Sequence, residues 1–123
     1  RMADAAEALR RGLAISPDDP RLVEQQGDLA RRTGDAAGAV RAYERVATLA
    51  PRDALIRVKL GELLRDLGRP QEAIVHLRRA VELDATAASY WNSLGMLLGG
   101  TGDLAGAEPA FRQALSRDGR NPQ

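Results

Sequence analysis

Apolar residues recur along the chain at intervals of three and four, as in Leu60, Leu63, Leu64 and Leu67, with charged residues between them. That spacing sets the apolar side chains on one face of an α-helix. Each such stretch runs into a turn: Thr33-Gly34-Asp35, Leu67-Gly68-Arg69 and Thr101-Gly102-Asp103. A glycine there lets the helix end in a left-handed residue, and the polar residue after it is placed to cap the next helix. A second amphipathic stretch follows each turn, roughly Ala36 to Leu49, Pro70 to Leu83 and Leu104 to Arg117. A proline or a polar bend closes each unit, as Pro51 does, and Pro17 closes a helix-like stretch from Ala3 to Ile15. The pattern therefore predicts helix, short turn, helix, each helix of about 14 residues being about 21 Å long.

The same pattern returns every 34 residues. Gly27, Gly61 and Gly95 keep that step, as do Gly34, Gly68 and Gly102, and Ala5, Ala39, Ala73 and Ala107. Apolar positions keep it too: Leu29, Leu63 and Leu97; Leu22, Ile56 and Tyr90; Tyr43, Leu77 and Phe111; Ile15, Leu49 and Leu83. Agreement at so many positions marks an internal repeat, in which one hairpin cannot bury its apolar face and stacked neighbours can. Gly27 with Ala39, Gly61 with Ala73 and Gly95 with Ala107 are expected to let the two backbones of each pair approach closely.

The unit resembles the tetratricopeptide repeat. The last period reads Trp91, Leu94-Gly95, Leu98, Ala107, Phe111 against the family pattern of Trp, Leu-Gly, Tyr, Ala, Phe and Pro, with Leu98 in the Tyr place and Gly119 in the Pro place. The earlier periods are looser: Val23 and Arg57 stand in the Trp place and Gln26 in one Leu place. The resemblance implies an all-α fold, an α-solenoid in which antiparallel helix pairs wind into a right-handed superhelix. It divides the chain into three and a half units of one domain spanning 1–123: a half repeat over 1–19, then repeats over 20–53, 54–87 and 88–121.

Two departures carry physical consequences. Pro109 removes a backbone hydrogen bond inside the last helix and is expected to kink or delay it. Gly99, Gly100 and Gly102 crowd the turn before it, each costing up to about 1 kcal/mol relative to Ala where helical. The final repeat is expected to be the most mobile.

Composition agrees with closely packed helices: 44% of the 123 residues are hydrophobic but only 3% aromatic, so the core is mostly Ala and Leu. With 18 basic against 17 acidic residues, the charge gives no reason to expect nucleic acid or an anionic membrane as partner. The arginines, which otherwise suit phosphate recognition, are matched by acids in every repeat. No apolar run approaches the roughly 20 residues needed to cross a bilayer, so no membrane insertion is expected. Cysteine is absent, which removes disulfides, thiolate zinc sites and a cysteine nucleophile, and the single histidine cannot supply a two-histidine metal site. Arg1 and Met2 run directly into helix-like sequence, without the leader of a secretory signal. The close at Asn121-Pro122-Gln123 reads as a segment cut from a longer protein. A composition rich in Arg and Ala, with one Lys, fits a GC-rich bacterial coding sequence.

Catalytic patterns dissolve on inspection. Gly100-Thr101-Gly102-Asp103-Leu104-Ala105 has the form of a dinucleotide fingerprint, but a helix rather than a strand precedes it, and Gly102 recurs as Gly34 and Gly68, so it reads as a turn. Lys59 follows Val58, which excludes a phosphate-binding loop ending in Gly-Lys, and no serine lies in a nucleophile elbow. His76 falls on the presumed outer face of a second helix and reads as a solvated surface residue. Glu24, Asp28 and Glu62 read as partners of Arg31, Arg32 and Arg65 at helical spacing, worth a few tenths of a kcal/mol each, rather than as an acid/base pair. No catalytic residue, cofactor or metal is expected, and the chain is expected not to be an enzyme.

In the resembled family, first helices line a concave side on which peptides or partner helices lie. Carried over by repeat position, the groove residues are Arg21, Glu24, Asp28 and Arg31; Val58, Lys59, Glu62 and Arg65, with Leu55; and Ser89, Asn92, Ser93 and Met96, with Gly99. No charge occurs from Ala85 to Gly102, so the last set suits a peptide backbone and an apolar side chain. Some members hold a chaperone's terminal carboxylate through Lys and Asn. The matching places here are Glu24, Asp28, Lys59, Ser89 and Ser93, and two carboxylates repel an incoming one, so no chaperone-tail binding is expected. The resemblance thus implies a scaffold that binds a protein or peptide. The alternatives are a homo-oligomer formed by end-to-end stacking through a face expected to be left open beside Trp91, Leu94 and Leu98, for want of a polar closing helix after Phe111 and Leu115, and an appendage of a larger enzyme.

Overall fold

The computed structural model describes residues 2–118. Among these the backbone forms seven α-helices and no strand: α1 (Met2–Ile15), α2 (Pro20–Arg32), α3 (Ala36–Leu49), α4 (Ala54–Asp66), α5 (Pro70–Leu83), α6 (Ala88–Gly100) and α7 (Leu104–Arg117). The all-α expectation holds, and the three predicted second helices run between the predicted residues. Gly119 and the close of the last predicted repeat at 121 lie outside the described residues.

The turns inside each helix pair are built alike. Gly34, Gly68 and Gly102 have φ of 86°, 76° and 90°, a conformation that a Cβ disfavours. At the first, Gly34 N–H donates to Arg31 O and Asp35 N–H to Ala30 O, satisfying carbonyls that the helix end leaves unpaired. The same two bonds recur at Gly68 with Arg69 and at Gly102 with Asp103. The expected caps form in two of three cases. Asp35 Oδ1 accepts from Gly38 N–H and Asp103 Oδ1 from Gly106 N–H, each at 2.9 Å. Arg69 offers no side-chain cap and forms an ion pair with Glu72 instead.

The chain divides into two compact units, residues 1–56 and 57–123. In the first, α1 packs on α2 and α2 on α3, around Leu9, Val23, Ala39, Tyr43 and Val46. In the second, α5 packs on α6 and α6 on α7, around Leu60, Leu64, Leu77, Leu94, Leu98 and Ala107. Each Leu so buried contributes roughly 1.5–3 kcal/mol.

The close approach within each pair differs from the expectation. A Cβ on Gly27 would lie 2.6 Å from Tyr43 Cε1, one on Gly61 2.9 Å from Leu77 Cγ, and one on Gly95 2.9 Å from Phe111 Cδ1. The glycines thus make room for the large residue one turn beyond the repeated alanine, and at Gly61 the alanine's backbone, Ala73 O at 3.3 Å, lies close as well. Pro109 likewise does not delay α7, which begins at Leu104 behind its Asp103 cap and carries the proline inside it. Its missing N–H would have bonded Ala105 O, within the first turns.

Candidate protein-binding face

In residues 1–56, α2 carries the first set of predicted residues. Arg21 and Arg31 are exposed, and Glu24 and Asp28 half-buried. Asp28 does not simply pair with arginines: its Oδ1 accepts a 2.5 Å hydrogen bond from the buried Tyr43 hydroxyl, beside Arg31. Burial first, and then the Asp28 hydrogen bond and charge, push the Tyr43 phenol well above its ordinary value. This half of the predicted face is therefore a fixed polar network tied to the core. A separate ion pair, Arg45 with Asp18, ties α3 to the loop before α2, and Arg45 also donates to Pro17 O at 2.9 Å.

In residues 57–123, α4 and α6 carry the rest. Val58 is 6% exposed and belongs to the core, a correction to its placement on the groove surface. Lys59, Glu62 and Ser93 are half-buried, and Arg65, Ser89, Asn92 and Met96 exposed. Arg65 directs Nε and Nη2 to Asp66 Oδ1 at 3.3 and 3.2 Å, instead of pairing with Glu62 as expected. Asn92 Nδ2 approaches Met96 Sδ at 3.5 Å, one turn along α6.

These residues separate into two concavities. Arg65 and Met96 meet in a cleft of about 520 Å³ between the α4–α5 turn and the end of α6, walled by Gly68, Pro70, Gly100 and Thr101 and floored by Leu97. Ser89 and Asn92 instead line a groove of about 620 Å³ with Phe111, Leu115 and Asp118. Sequence reasoning missed the turn residues of the cleft. The signal was present, because Gly99-Gly100 falls 34 residues after Arg65-Asp66 and 68 after Arg31-Arg32. The face expected to stand open beside Trp91, Leu94 and Leu98 is largely closed: Leu94 and Leu98 are buried and Trp91 half-buried. Trp91 Nε1–H donates to Ala85 O at 2.8 Å, pinning the turn ahead of α6 where Ala87 supplies no side-chain cap. In the same turn Asp84 accepts from the Thr86 hydroxyl and N–H at 2.6 and 3.1 Å, which lowers its carboxyl pKa. The open residues are Phe111 and Leu115, 36% and 57% exposed.

His76 also departs from expectation. It is half-buried, with Nδ1 3.3 Å from Arg57 Nη1, and Arg57 Nε is buried without a hydrogen-bond partner. Arg57 stands in the repeat position of Trp91, and His76 in that of the buried Ala42 and Ala110, so the pair replaces an apolar contact inside the helix hairpin. Among the described residues no three His, Cys, Asp or Glu side chains are grouped to hold a metal ion, and no helix is long and apolar enough to cross a membrane.

Comparison with known proteins agrees with this architecture. Family models for the tetratricopeptide repeat match residues 24–90 and 88–121. Human tetratricopeptide repeat protein 7B is 29% identical over 120 residues, covering 98% of this chain and 14% of that protein. TPR repeat-containing protein PA0015 of Pseudomonas aeruginosa is 41% identical over 64 residues, 52% of this chain and 61% of that protein. Protein FlbA of Caulobacter vibrioides is 32% identical over 113 residues, 92% of this chain and 19% of that protein. The chain thus spans from about a seventh to about three fifths of the length of these relatives. A crystal structure of MamA superposes with a TM-score of 0.87 at 20% identity, over 95% of this chain and 68% of that one. A second, MamA AMB-1, superposes with 0.77 at 28% identity, over 91% and 66%. With matched repeats covering most of its length and helix pairs closed by the same glycine turn, the chain belongs to the tetratricopeptide repeat family.

Proposed function

We propose that this segment is a non-catalytic scaffold that holds a peptide or a partner protein on its first helices, α2, α4 and α6. Membership of a family of protein-interaction scaffolds supports this reading. The observation that carries it is the division of labour along those helices. One face supplies core residues such as Val23, Leu60, Leu64 and Leu94, while Arg21, Arg31, Arg65, Asn92 and Met96 stand exposed on another. On this reading the units run 1–19, 20–53, 54–87 and 88–121, and the role is assembly, without cofactor or nucleic acid.

The test is selection of binders from a displayed random-peptide library, followed by Glu62→Arg and Asn92→Ala. Capture should be abolished while helical content by circular dichroism stays unchanged. If both variants bind as the wild type does, another surface is used; if the library yields no binder, the scaffold reading fails.

A second reading has its own observation. The groove at Phe111 and Leu115 leaves two large apolar side chains open at positions whose equivalents, Leu77 and Val81, are buried in the preceding repeat. On this reading a second copy covers it, and light scattering across a concentration series decides: a strict monomer at high concentration removes the idea.

A further inference from the structure

The cleft between the α4–α5 turn and the end of α6 has features that the scaffold reading does not require. It is of the size that takes a ligand group, about 520 Å³. Its floor and one wall are apolar, Leu97 beneath and Met96 beside, and Met96 is 58% exposed although it is a large apolar side chain. Arg65 is the one charged residue lining it.

The cleft exists because of a local change in the repeat. Arg31-Arg32 and Arg65-Asp66 put long or charged side chains at the ends of α2 and α4, and the same places at the end of α6 are Gly99-Gly100. A Cβ on Gly100 would meet nothing within 4 Å, and one on Gly68 the same, so two walls are bare backbone facing open space. The pair was costly as helix sequence, at up to about 1 kcal/mol per glycine. Two carbonyls at the end of α6 are already taken, Leu98 O by Asp103 N–H and Gly99 O by Gly102 N–H.

Resting on the scaffold reading, we propose that this cleft anchors an apolar side chain flanked by carboxylates in an extended acidic segment of the partner. The apolar side chain lies on Met96 and Leu97 with its backbone against Gly68 and Gly100. The neighbouring carboxylate meets the Arg65 guanidinium, whose geometry suits it. Asp66 holds one edge of that guanidinium from outside the cleft and is the ligand's competitor.

The probe is a short peptide with one leucine set among glutamates, acetylated and amidated so that no terminal charge contributes, compared with its lysine counterpart. In fluorescence anisotropy the acidic peptide should bind at least about tenfold more tightly than the basic one. Arg65→Glu should reverse the preference, Asp66→Asn should strengthen acidic binding, and Gly100→Gln should abolish it by filling the cleft while leaving helical content unchanged. In 13C-methyl spectra the acidic peptide should shift the Met96 signal. Equal binding of the two peptides, no binding of the acidic one, or indifference to both Arg65→Glu and Gly100→Gln overturns the assignment. Library binders that lack an acidic and apolar consensus but depend on Asn92 would also overturn it, while leaving the scaffold reading intact.

Discussion

At the scale of single residues, the strongest constraints are steric. Gly27 abuts Tyr43, which is fully buried and hydrogen-bonded, so its ring cannot retreat from a Cβ placed 2.6 Å away. Gly95 abuts Phe111, which is partly exposed and free to move outward. Gly27→Ala should therefore cost about 1–3 kcal/mol in urea unfolding, and Gly95→Ala distinctly less. Equal losses would mean that the ring's surroundings do not set the penalty. Tyr43 itself should report alkaline pH. Its phenol is raised above the ordinary value of 10, so the unfolded chain loses that proton first. The stability it confers is complete below that pH and declines as the pH rises above it. Tyr43→Phe should cost about 1 kcal/mol at neutral pH, through the lost bond to Asp28, and should flatten the decline above pH 10. An unchanged alkaline slope in the variant would contradict this.

At the scale of helices, the caps distinguish otherwise equivalent repeats. Asp35 satisfies an end group of α3, whereas Arg69 at the same place in the next repeat makes only a surface ion pair. Asp35→Ala should lower stability by about 1 kcal/mol and Arg69→Ala by a few tenths, read as shifts in denaturation midpoint. The helices were legible in the sequence because their signals are local and repeated: a glycine at each left-handed turn, an apolar step of three and four, and a 34-residue return. What escaped was the environment of individual side chains. His76 looked solvent-facing when read alone, yet its repeat equivalents Ala42 and Ala110 are buried, and Arg57 had already replaced the apolar residue opposite it. Glycines 99 and 100 were legible as a penalty to the helix, but the space they leave is a tertiary fact.

At the scale of the whole molecule, the predicted face proved less uniform than its sequence positions suggested. Within residues 57–123, Val58 sinks into the core, Arg65 and Met96 share one hollow, and Ser89 and Asn92 share another with Phe111 and Leu115. Repeat position identifies the helix face; which neighbours complete a concavity depends on turn residues that carry no family signature. If a second copy covers the Phe111 groove, Phe111→Glu should hold the protein monomeric at concentrations where the wild type associates, with Gly100→Gln having no such effect. Association that survives Phe111→Glu would place the contact elsewhere.

The chain has a single tryptophan, and its indole is anchored to the backbone at Ala85. Its emission is therefore an intrinsic optical gauge of one bend, needing no attached dye. Loss of that bend frees the ring to water and should redden the emission even where the far-ultraviolet signal of the rods on either side is intact, so fraying there can be timed separately from global melting.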